Sequence, residues 1–248
     1  MLNVTDYDGP GETPLLIAHG LFGSARNWGS TARRLSERRP VRVVDMRNHG
    51  ASFRSDDHSY AAMADDLAEV LDRPGDVLGH SMGGKAAMML ALTRPETVRK
   101  LIVADIAPVA YGHSQVHLVE AMKALPLDQV ASRSDADRLL GERVEDRGVR
   151  AFLLQSLDRR DKSWALNLDV LGREMDGITG WPGSDGVFDG PALFLAGEES
   201  DYVQPAHRDE IKRLFPNARL ARIPGAGHWL HADAPEAFEA AVTAFLDA

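Results

Sequence analysis

Short apolar runs alternate along the chain with segments in which apolar residues recur every three or four positions. The runs lie at residues 15–19, 41–45, 76–80, 100–105, 192–197 and 218–223. The segments with helical periodicity lie at residues 26–37, 60–72, 82–93, 205–215 and 234–247. Near-continuous apolar strands between amphipathic helices are typical of a parallel sheet that helices cover on both faces. The pattern therefore predicts an α/β fold with a mostly parallel central sheet.

One long interval departs from this alternation. Residues 109–188 carry charge-rich, helix-like stretches such as HLVEAMKALPLDQV and no convincing strand. Connections of this length are uncommon in compact domains and usually have a function. We therefore expect residues 1–108 and 189–248 to form one core domain, with 109–188 as a helical cap inserted above the carboxyl edge of the sheet. An extended crossover connection is the alternative.

Composition and charge narrow the class of protein. The 248 residues include no cysteine, which excludes disulfides, thiolate metal sites and a cysteine nucleophile and fits the cytosol, where we expect the protein. A net charge of −9 argues against nucleic-acid binding. No apolar run reaches the ~18 residues of a membrane span, and the first residues do not resemble a signal peptide. Oligomeric state cannot be read from the sequence.

Residues 76–90, DVLGHSMGGKAAMML, pass from a strand through Gly-His-Ser-Met-Gly into a helix. In this G-x-S-x-G pattern a serine occupies a sharp strand-to-helix turn. The glycines at 79, 83 and 84 suit the turn, because a β-carbon there would approach the neighbouring strand and helix too closely. Ser81 is therefore the candidate nucleophile, and a tight turn with an incidental serine is the alternative.

A serine nucleophile needs a base that a third group orients. The segment IPGAGHWLHADAP places His228 in a glycine-rich loop between the last predicted strand and the last helix. This late position suits the chain order Ser, Asp, His of the triad. His231 is the competing base, and His19 is expected to be structural. The histidines expected at the surface or in the cap are His49, His58, His113, His117 and His207.

A site for the oxyanion is expected where AHGLFG follows the first predicted strand. One backbone N–H is expected from this loop and one from the residue after the nucleophile. We assign these donors to Leu21 and Met82, and Phe22 is the alternative to Leu21.

Five segments together resemble the α/β-hydrolase superfamily, and in particular the YbfF-type esterases. They read HGLFGSARNW, DMRNHGAS, GHSMGGKAAM, ADIAPVAY and GAGHWLHADAP. The resemblance extends from residue 15 to the C-terminus and is looser in the predicted cap. It implies an α/β-hydrolase fold and a Ser-His-Asp triad, and this chemistry needs neither a metal nor an organic cofactor.

Two carboxylates at strand ends compete for the third place in the triad. Most α/β-hydrolases carry the acid in a G-x-x-D-x-x-V frame, but here Ser200 occupies that position and Asp201 follows one residue later. In extended chain, a shift of one residue turns the side chain to the other side. Asp105, directly after the KLIVA strand, lies in the D-I-A-P segment from which YbfF-type enzymes take the acid. We therefore expect Asp105, with Asp201 as the alternative.

These residues predict a serine hydrolase that cleaves carboxylic esters or acyl-CoA thioesters through an acyl-enzyme. The resemblance suggests short acyl chains and acyl-CoA. Arg159, Arg160 and Lys162 are candidates for attracting an anionic CoA moiety, although such a run is more often a solvated face. Cofactor-free perhydrolysis and C–C bond hydrolysis on the same triad are alternatives. A small-molecule receptor that keeps the triad but does not turn over is another.

Overall fold

A seven-stranded, mostly parallel sheet forms the centre of the protein in a computed structural model that describes residues 1–248. The strand order is β1-β3-β2-β4-β5-β8-β9, and β1 alone runs antiparallel to its neighbour. A separate two-stranded hairpin pairs β6 with β7. The strands are β1 Asn3–Tyr7, β2 Leu15–Ala18, β3 Val41–Asp45, β4 Gly75–His80, β5 Val98–Ala104, β6 Leu157–Asp158, β7 Ser163–Trp164, β8 Ala192–Gly197 and β9 Ala218–Ile223.

Helices cover both faces of the sheet. Apolar residues of α1 and α11 are buried on one face, and those of α2, α3 and α9 on the other. No helix is both long enough and apolar enough to span a membrane. The helices are α1 Gly29–Leu35, α2 Tyr60–Val70, α3 Met82–Thr93, α4 Val116–Lys123, α5 Arg133–Leu140, α6 Arg147–Leu153, α7 Leu168–Arg173, α8 Met175–Thr179, α9 Arg208–Leu214, α10 Leu230–Asp233 and α11 Pro235–Asp247.

All six predicted strands are present, five of them because a largely buried strand has a distinctive apolar sequence. The sixth, β9, lies at the edge of the sheet and has four exposed residues. Every residue of β2 and of β8 is buried. The edge strand β1 was not predicted, since its sequence NVTDY is polar and the strand is only partly buried. The expectation of no strand within 109–188 is wrong for the hairpin of β6 and β7, whose two-residue strands are too short to leave a pattern.

The longest connection in the sheet joins β5 to β8. These strands are neighbours, with Leu101 paired to Ala192, and the chain between them forms α4 to α8 and the β6–β7 hairpin. Backbone hydrogen bonds attach this helical insertion to the core: Gly50 N–H donates to the Ala165 carbonyl at 2.7 Å, and Asn167 N–H donates to the Asn48 carbonyl at 2.9 Å. The insertion therefore leaves the sheet at its carboxyl edge, beside the end of β4, and the chain returns to the amino end of the adjacent parallel strand β8.

Candidate active site

The turn between β4 and α3 presents Ser81 at the carboxyl edge of the sheet. The serine has φ 53° and ψ −120°, a conformation that costs strain for any residue with a β-carbon. The turn is tight because a β-carbon at Gly79 would meet the backbone of Gly83, and one at Gly83 would meet the carbonyls of Ala18 and His19. The glycines thus let the chain reverse closely enough to project the Ser81 hydroxyl beyond the sheet.

One imidazole joins the hydroxyl of Ser81 to the carboxylate of Asp105. His228 Nδ1 lies 2.7 Å from Asp105 Oδ2, and His228 Nε2 lies 3.1 Å from Ser81 Oγ. An ionised carboxylate can only accept, so Nδ1 carries the proton and the lone pair of Nε2 faces the serine hydroxyl. Asp201 is exposed in the loop after β8 and makes no hydrogen bond with His228.

Asp105 is held in place by the loop that follows β8. The residue is fully buried, and Gly197 N–H donates to its Oδ1 at 2.9 Å. The Ser200 hydroxyl donates to the Oδ2 that also accepts from His228. In the sequence, Ser200 is notable only because it occupies the usual position of the acid. In the structure this serine contributes a hydrogen bond to the carboxylate.

Two tyrosines that the sequence analysis did not single out brace this part of the site. The Tyr202 ring stacks on the His228 imidazole, with centroids 4.0 Å apart and planes inclined by 22°. The Tyr111 hydroxyl donates to the Tyr202 carbonyl at 2.7 Å and accepts from Ala107 N–H at 2.9 Å. Tyr111 therefore ties the loop after β5, which carries Asp105, to the loop after β8.

The backbone N–H groups of the loop after β2 differ in their availability. Phe22 N–H donates to His49 Nε2 at 3.2 Å, whereas Leu21 N–H and Met82 N–H donate to no group of the protein. Of the two alternatives in this loop, Leu21 therefore has the free donor. Leu21 lines the same two chambers as Ser81, and Met82 is the residue after the serine. Free N–H groups beside a nucleophilic serine can stabilise a developing oxyanion.

Two histidines, His49 and His58, are buried near this loop. The expectation that they lie at the surface or in the cap is therefore wrong. His49 is fully buried and His58 is 4% exposed. Both acquire partners that a sequence does not reveal: His49 Nδ1 donates to the Arg47 carbonyl, and His58 Nδ1 contacts the Asn48 side chain. Burial lowers the pKa of His49 well below its ordinary value, so this imidazole is neutral and accepts from Phe22.

His19 has the structural role that the sequence analysis expected. Its Nε2 accepts from Met46 N–H at 3.0 Å, which places the proton on Nδ1, and Nδ1 donates to the Gly20 carbonyl at 2.8 Å. His19 therefore joins the loop after β2 to the end of β3.

His231, the competing base, makes no hydrogen bond with Ser81. Its ring stacks on Trp28 at 4.0 Å, and burial lowers its pKa to about 4. The neighbouring His80 contacts the backbone of the base, since its Nε2 donates to the His228 carbonyl at 2.8 Å. The structure thus gives the contact with Ser81 to His228 alone among these imidazoles.

Two chambers meet at Ser81. The larger has a volume of about 220 Å³, and apolar side chains of the insertion and of the His228 loop form much of its wall. The smaller has a volume of about 30 Å³ and lies between the start of α3 and the end of α8. Prominent wall residues of the large chamber are Leu118, Val149, Phe152 and Trp229. Those of the small chamber are Met82, Ile106, Tyr111 and Ile178.

Lys85 lines the small chamber and was not singled out from the sequence. The side chain is almost fully buried, and its ammonium donates to the Thr179 carbonyl at 2.9 Å and to the Gly180 carbonyl. The ammonium also lies 4.8 Å from the centre of the Tyr111 ring. Burial lowers the pKa of Lys85 to about 7. This lysine therefore fastens α3 of the core to the end of α8 in the insertion.

The basic run that was considered for CoA lies outside both chambers. Arg159, Arg160 and Lys162 are exposed around the turn of the β6–β7 hairpin. Asp158 Oδ1 accepts from Arg160 N–H at 2.8 Å, which fixes the backbone of this turn. No group of three histidine, aspartate or glutamate side chains is arranged to hold a metal ion.

Known proteins resemble this chain over most of their length. Residues 13–235 match the model of the α/β hydrolase fold family. The chain is 44% identical to the mouse protein named sn-1-specific diacylglycerol lipase ABHD11, over 96% of this chain and 83% of that protein. It is 39% identical to esterase YbfF of Escherichia coli, over 95% and 93%. A marine microorganism esterase of known structure superimposes with a TM-score of 0.93 at 38% identity, covering 98% of both chains.

The chain belongs to the α/β-hydrolase family. Within that family it is a carboxylester hydrolase of the YbfF type, as its similarity to proteins named esterase and lipase shows. The resemblance inferred from the sequence motifs is thereby confirmed, as is the predicted fold.

Proposed function

We propose that the protein hydrolyses small carboxylic esters through an acyl-enzyme on Ser81, with His228 as the base and Asp105 as the orienting acid. The observation that carries the proposal is the chain of hydrogen bonds through one imidazole, with 3.1 Å from Nε2 to Ser81 Oγ and 2.7 Å from Nδ1 to Asp105 Oδ2. A serine hydroxyl is a weak nucleophile until such a base removes its proton.

The reaction begins when His228 Nε2 takes the hydroxyl proton and Ser81 Oγ attacks the carbonyl carbon. Asp105 stabilises the imidazolium that forms, without itself taking the proton. The imidazolium then protonates the leaving oxygen, and the acyl group remains on Ser81. Water, deprotonated by the same imidazole, attacks the acyl-enzyme, and the carboxylic acid leaves as the serine recovers its proton.

The negative charge of each tetrahedral intermediate would be stabilised by Leu21 N–H and Met82 N–H. Both groups are free of partners in the protein, and Met82 is also the first residue of α3. Donors that are fixed before the reaction are worth about 10²–10³ in kcat each in comparable enzymes. Phe22 is unsuited to this role because its N–H already donates to His49.

We further propose that residues 109–188 act as a cap that shapes the substrate site above the core formed by residues 1–108 and 189–248. Support comes from Leu118, Val149 and Phe152, which belong to this segment and line the large chamber beside Ser81. Thioesters of CoA remain candidate substrates besides short-chain esters, because the exposed basic turn of the β6–β7 hairpin could attract the anionic CoA moiety. The cytosolic location also stays a prediction.

Active-site labelling with a fluorophosphonate tests the proposal. We expect a covalent adduct on Ser81, located by peptide mass spectrometry, and turnover of p-nitrophenyl acetate that Ser81→Ala abolishes. Ser30→Ala, at an exposed serine of α1, is the matched control and should keep both properties. Turnover that survives in Ser81→Ala would refute the proposed nucleophile, and labelling without turnover of any ester would favour a receptor.

A further inference from the structure

The two chambers at Ser81 expose different parts of the catalytic machinery. His228 lines the large chamber and is absent from the small one. Met82 borders only the small chamber, whereas Ser81 and Leu21 border both. A substrate bound to the serine would therefore meet the imidazole on one side only.

The chemistry of the tetrahedral intermediate decides which part of the ester occupies which chamber. Its carbon carries four groups: Ser81 Oγ, the oxyanion, the leaving oxygen and the acyl chain. The oxyanion faces the N–H groups of Leu21 and Met82. The leaving oxygen must come within hydrogen-bond distance of His228 Nε2, because that atom gives it a proton. The acyl chain takes the remaining direction.

We infer that the large chamber receives the alcohol or thiol part of the substrate and that the small chamber receives the acyl chain. This assignment rests on the proposed function, since it uses His228 as the acid that protonates the leaving group. It also makes the small chamber the determinant of acyl length.

The sizes of the chambers turn this assignment into a substrate preference. A volume of about 10–15 Å³ on this scale holds one water molecule. The small chamber, at about 30 Å³, therefore holds two or three non-hydrogen atoms beyond the carbonyl carbon. The large chamber, at about 220 Å³, is roughly seven times larger. The protein should accept acetyl and propionyl groups readily and tolerate a wide range of alcohols.

Part of the wall that limits the acyl chain comes from the helical insertion. Ile178 of α8 is 6% exposed and faces the small chamber, and the bond from Lys85 to the Thr179 carbonyl holds the end of this helix against α3. Ile106 lies on the core side, where its side chain occupies the space beside Gly84. Ile178 can thus be shortened without touching the turn that carries Ser81.

Two series of esters test the assignment. The first keeps p-nitrophenol and lengthens the acyl chain from acetate to octanoate. The second keeps acetate and lengthens the alcohol from ethanol to octanol. We expect kcat/KM of the native protein to fall by about tenfold or more between butyrate and hexanoate in the first series, since one methylene too many costs about that much in a closed pocket. In the second series we expect little change.

Ile178→Ala should raise kcat/KM for hexanoate relative to acetate by about tenfold, because it removes three carbons from the chamber wall, and should leave the alcohol series unchanged. Val149→Ala is the matched control, since Val149 also belongs to the insertion but lines only the large chamber. It should leave the acyl series unchanged, so that a shift in acyl preference is specific to the wall of the small chamber. If Ile178→Ala does not fold, Ile178→Val should show a smaller shift in the same direction.

The reverse pattern, in which Ile178→Ala alters only the alcohol series, would overturn the assignment, as would a native preference for octanoate. Fluorophosphonate labelling separates this failure from a failure of the proposed function. Unchanged labelling of Ser81 with the wrong acyl profile refutes the chamber assignment alone. Absence of both labelling and ester turnover refutes the proposed nucleophile.

Discussion

Ser81 and Asp105 both have positive φ values although neither is a glycine, at 53° and 52°. Both residues directly follow parallel strands, β4 and β5, whose ends lie side by side in the sheet. An abrupt change of backbone direction at these points turns each side chain towards His228. Strain of about 1–3 kcal/mol at such a residue persists only where the surrounding structure enforces it.

The strain at Ser81 predicts an unusual order of stability. We expect Ser81→Gly to have a free energy of unfolding about 1 kcal/mol higher than Ser81→Ala, because glycine adopts this conformation without strain. The greater entropy of glycine in the unfolded chain offsets part of this gain and is included in the figure. Urea denaturation of the two inactive variants measures the difference. Ala61→Gly, at an exposed position of α2, is the control and should lower the stability by about 1 kcal/mol. Equal stability of the two Ser81 variants would contradict the argument.

The choice between the two carboxylates predicts the effect of neutralising each of them. Asp105→Asn should lower kcat by up to about 10⁴-fold on an activated ester, since the imidazole loses the partner that fixes its tautomer. Asp201→Asn is the matched control and should keep near-normal kcat, because Asp201 is exposed and makes no bond to His228. The opposite outcome would return the role to Asp201.

Positions that the local sequence marks were predictable, and partners that lie far apart in the chain were not. Ser81 and Asp105 directly follow strands and His228 lies in a glycine-rich loop, so the sequence marked all three as candidates, and the resemblance to YbfF-type esterases favoured Asp105 over Asp201. Ser200 lies 95 positions from Asp105, and the Lys85 ammonium reaches a carbonyl 94 positions away. Nothing in the neighbouring sequence specifies such pairs, because only the packing of the insertion and the sheet brings them together.

At the level of elements, the loop after β2 depends on the loop after β3 for its shape. His49, in the second loop, accepts from Phe22 N–H in the first. Replacing it with alanine leaves a buried N–H without a partner and a cavity beneath the loop, which removes the constraint on Leu21 beside it.

We therefore expect His49→Ala to lower kcat by about tenfold to a hundredfold, because in the proposed mechanism Leu21 N–H is an oxyanion donor, and such a donor loses much of its effect when it moves out of place. The KM should change little. Steady-state kinetics on p-nitrophenyl acetate measure both constants. His117→Ala, at an exposed histidine of α4, should leave them unchanged. A normal kcat in a folded His49→Ala protein would show that the loop keeps its shape without this bond.

At the scale of the whole molecule, several histidines are buried in the neutral state. Burial lowers the pKa of His58 to about 4 and lowers that of His19, while the ordinary value is 6.5. Below pH 6.5 the unfolded chain binds protons that the folded protein excludes, so acid favours unfolding. The contribution of these neutral histidines to the free energy of unfolding is fully present above pH 6.5 and is lost as the pH falls towards 4.

This linkage predicts a measurable loss between pH 7.5 and pH 5.0. His58 alone should contribute about 2 kcal/mol to the decrease in the free energy of unfolding over this interval, from its shifted pKa. Urea denaturation at the two pH values measures it. In His58→Gln the decrease should be smaller by about that amount, whereas His117→Gln should leave it unchanged. Identical pH dependence in the native protein and His58→Gln would contradict the prediction.

The adjacency of β5 and β8 has a consequence for how such proteins diversify. The chain leaves the sheet after Ala104 and returns at Ala192, in a strand that pairs directly with the one it left. Recombination can therefore exchange residues 109–188 as a cassette while Ser81, Asp105 and the strands of the large sheet stay in place. Lineages that share one hydrolytic core can in this way acquire new substrates without rebuilding the chemistry.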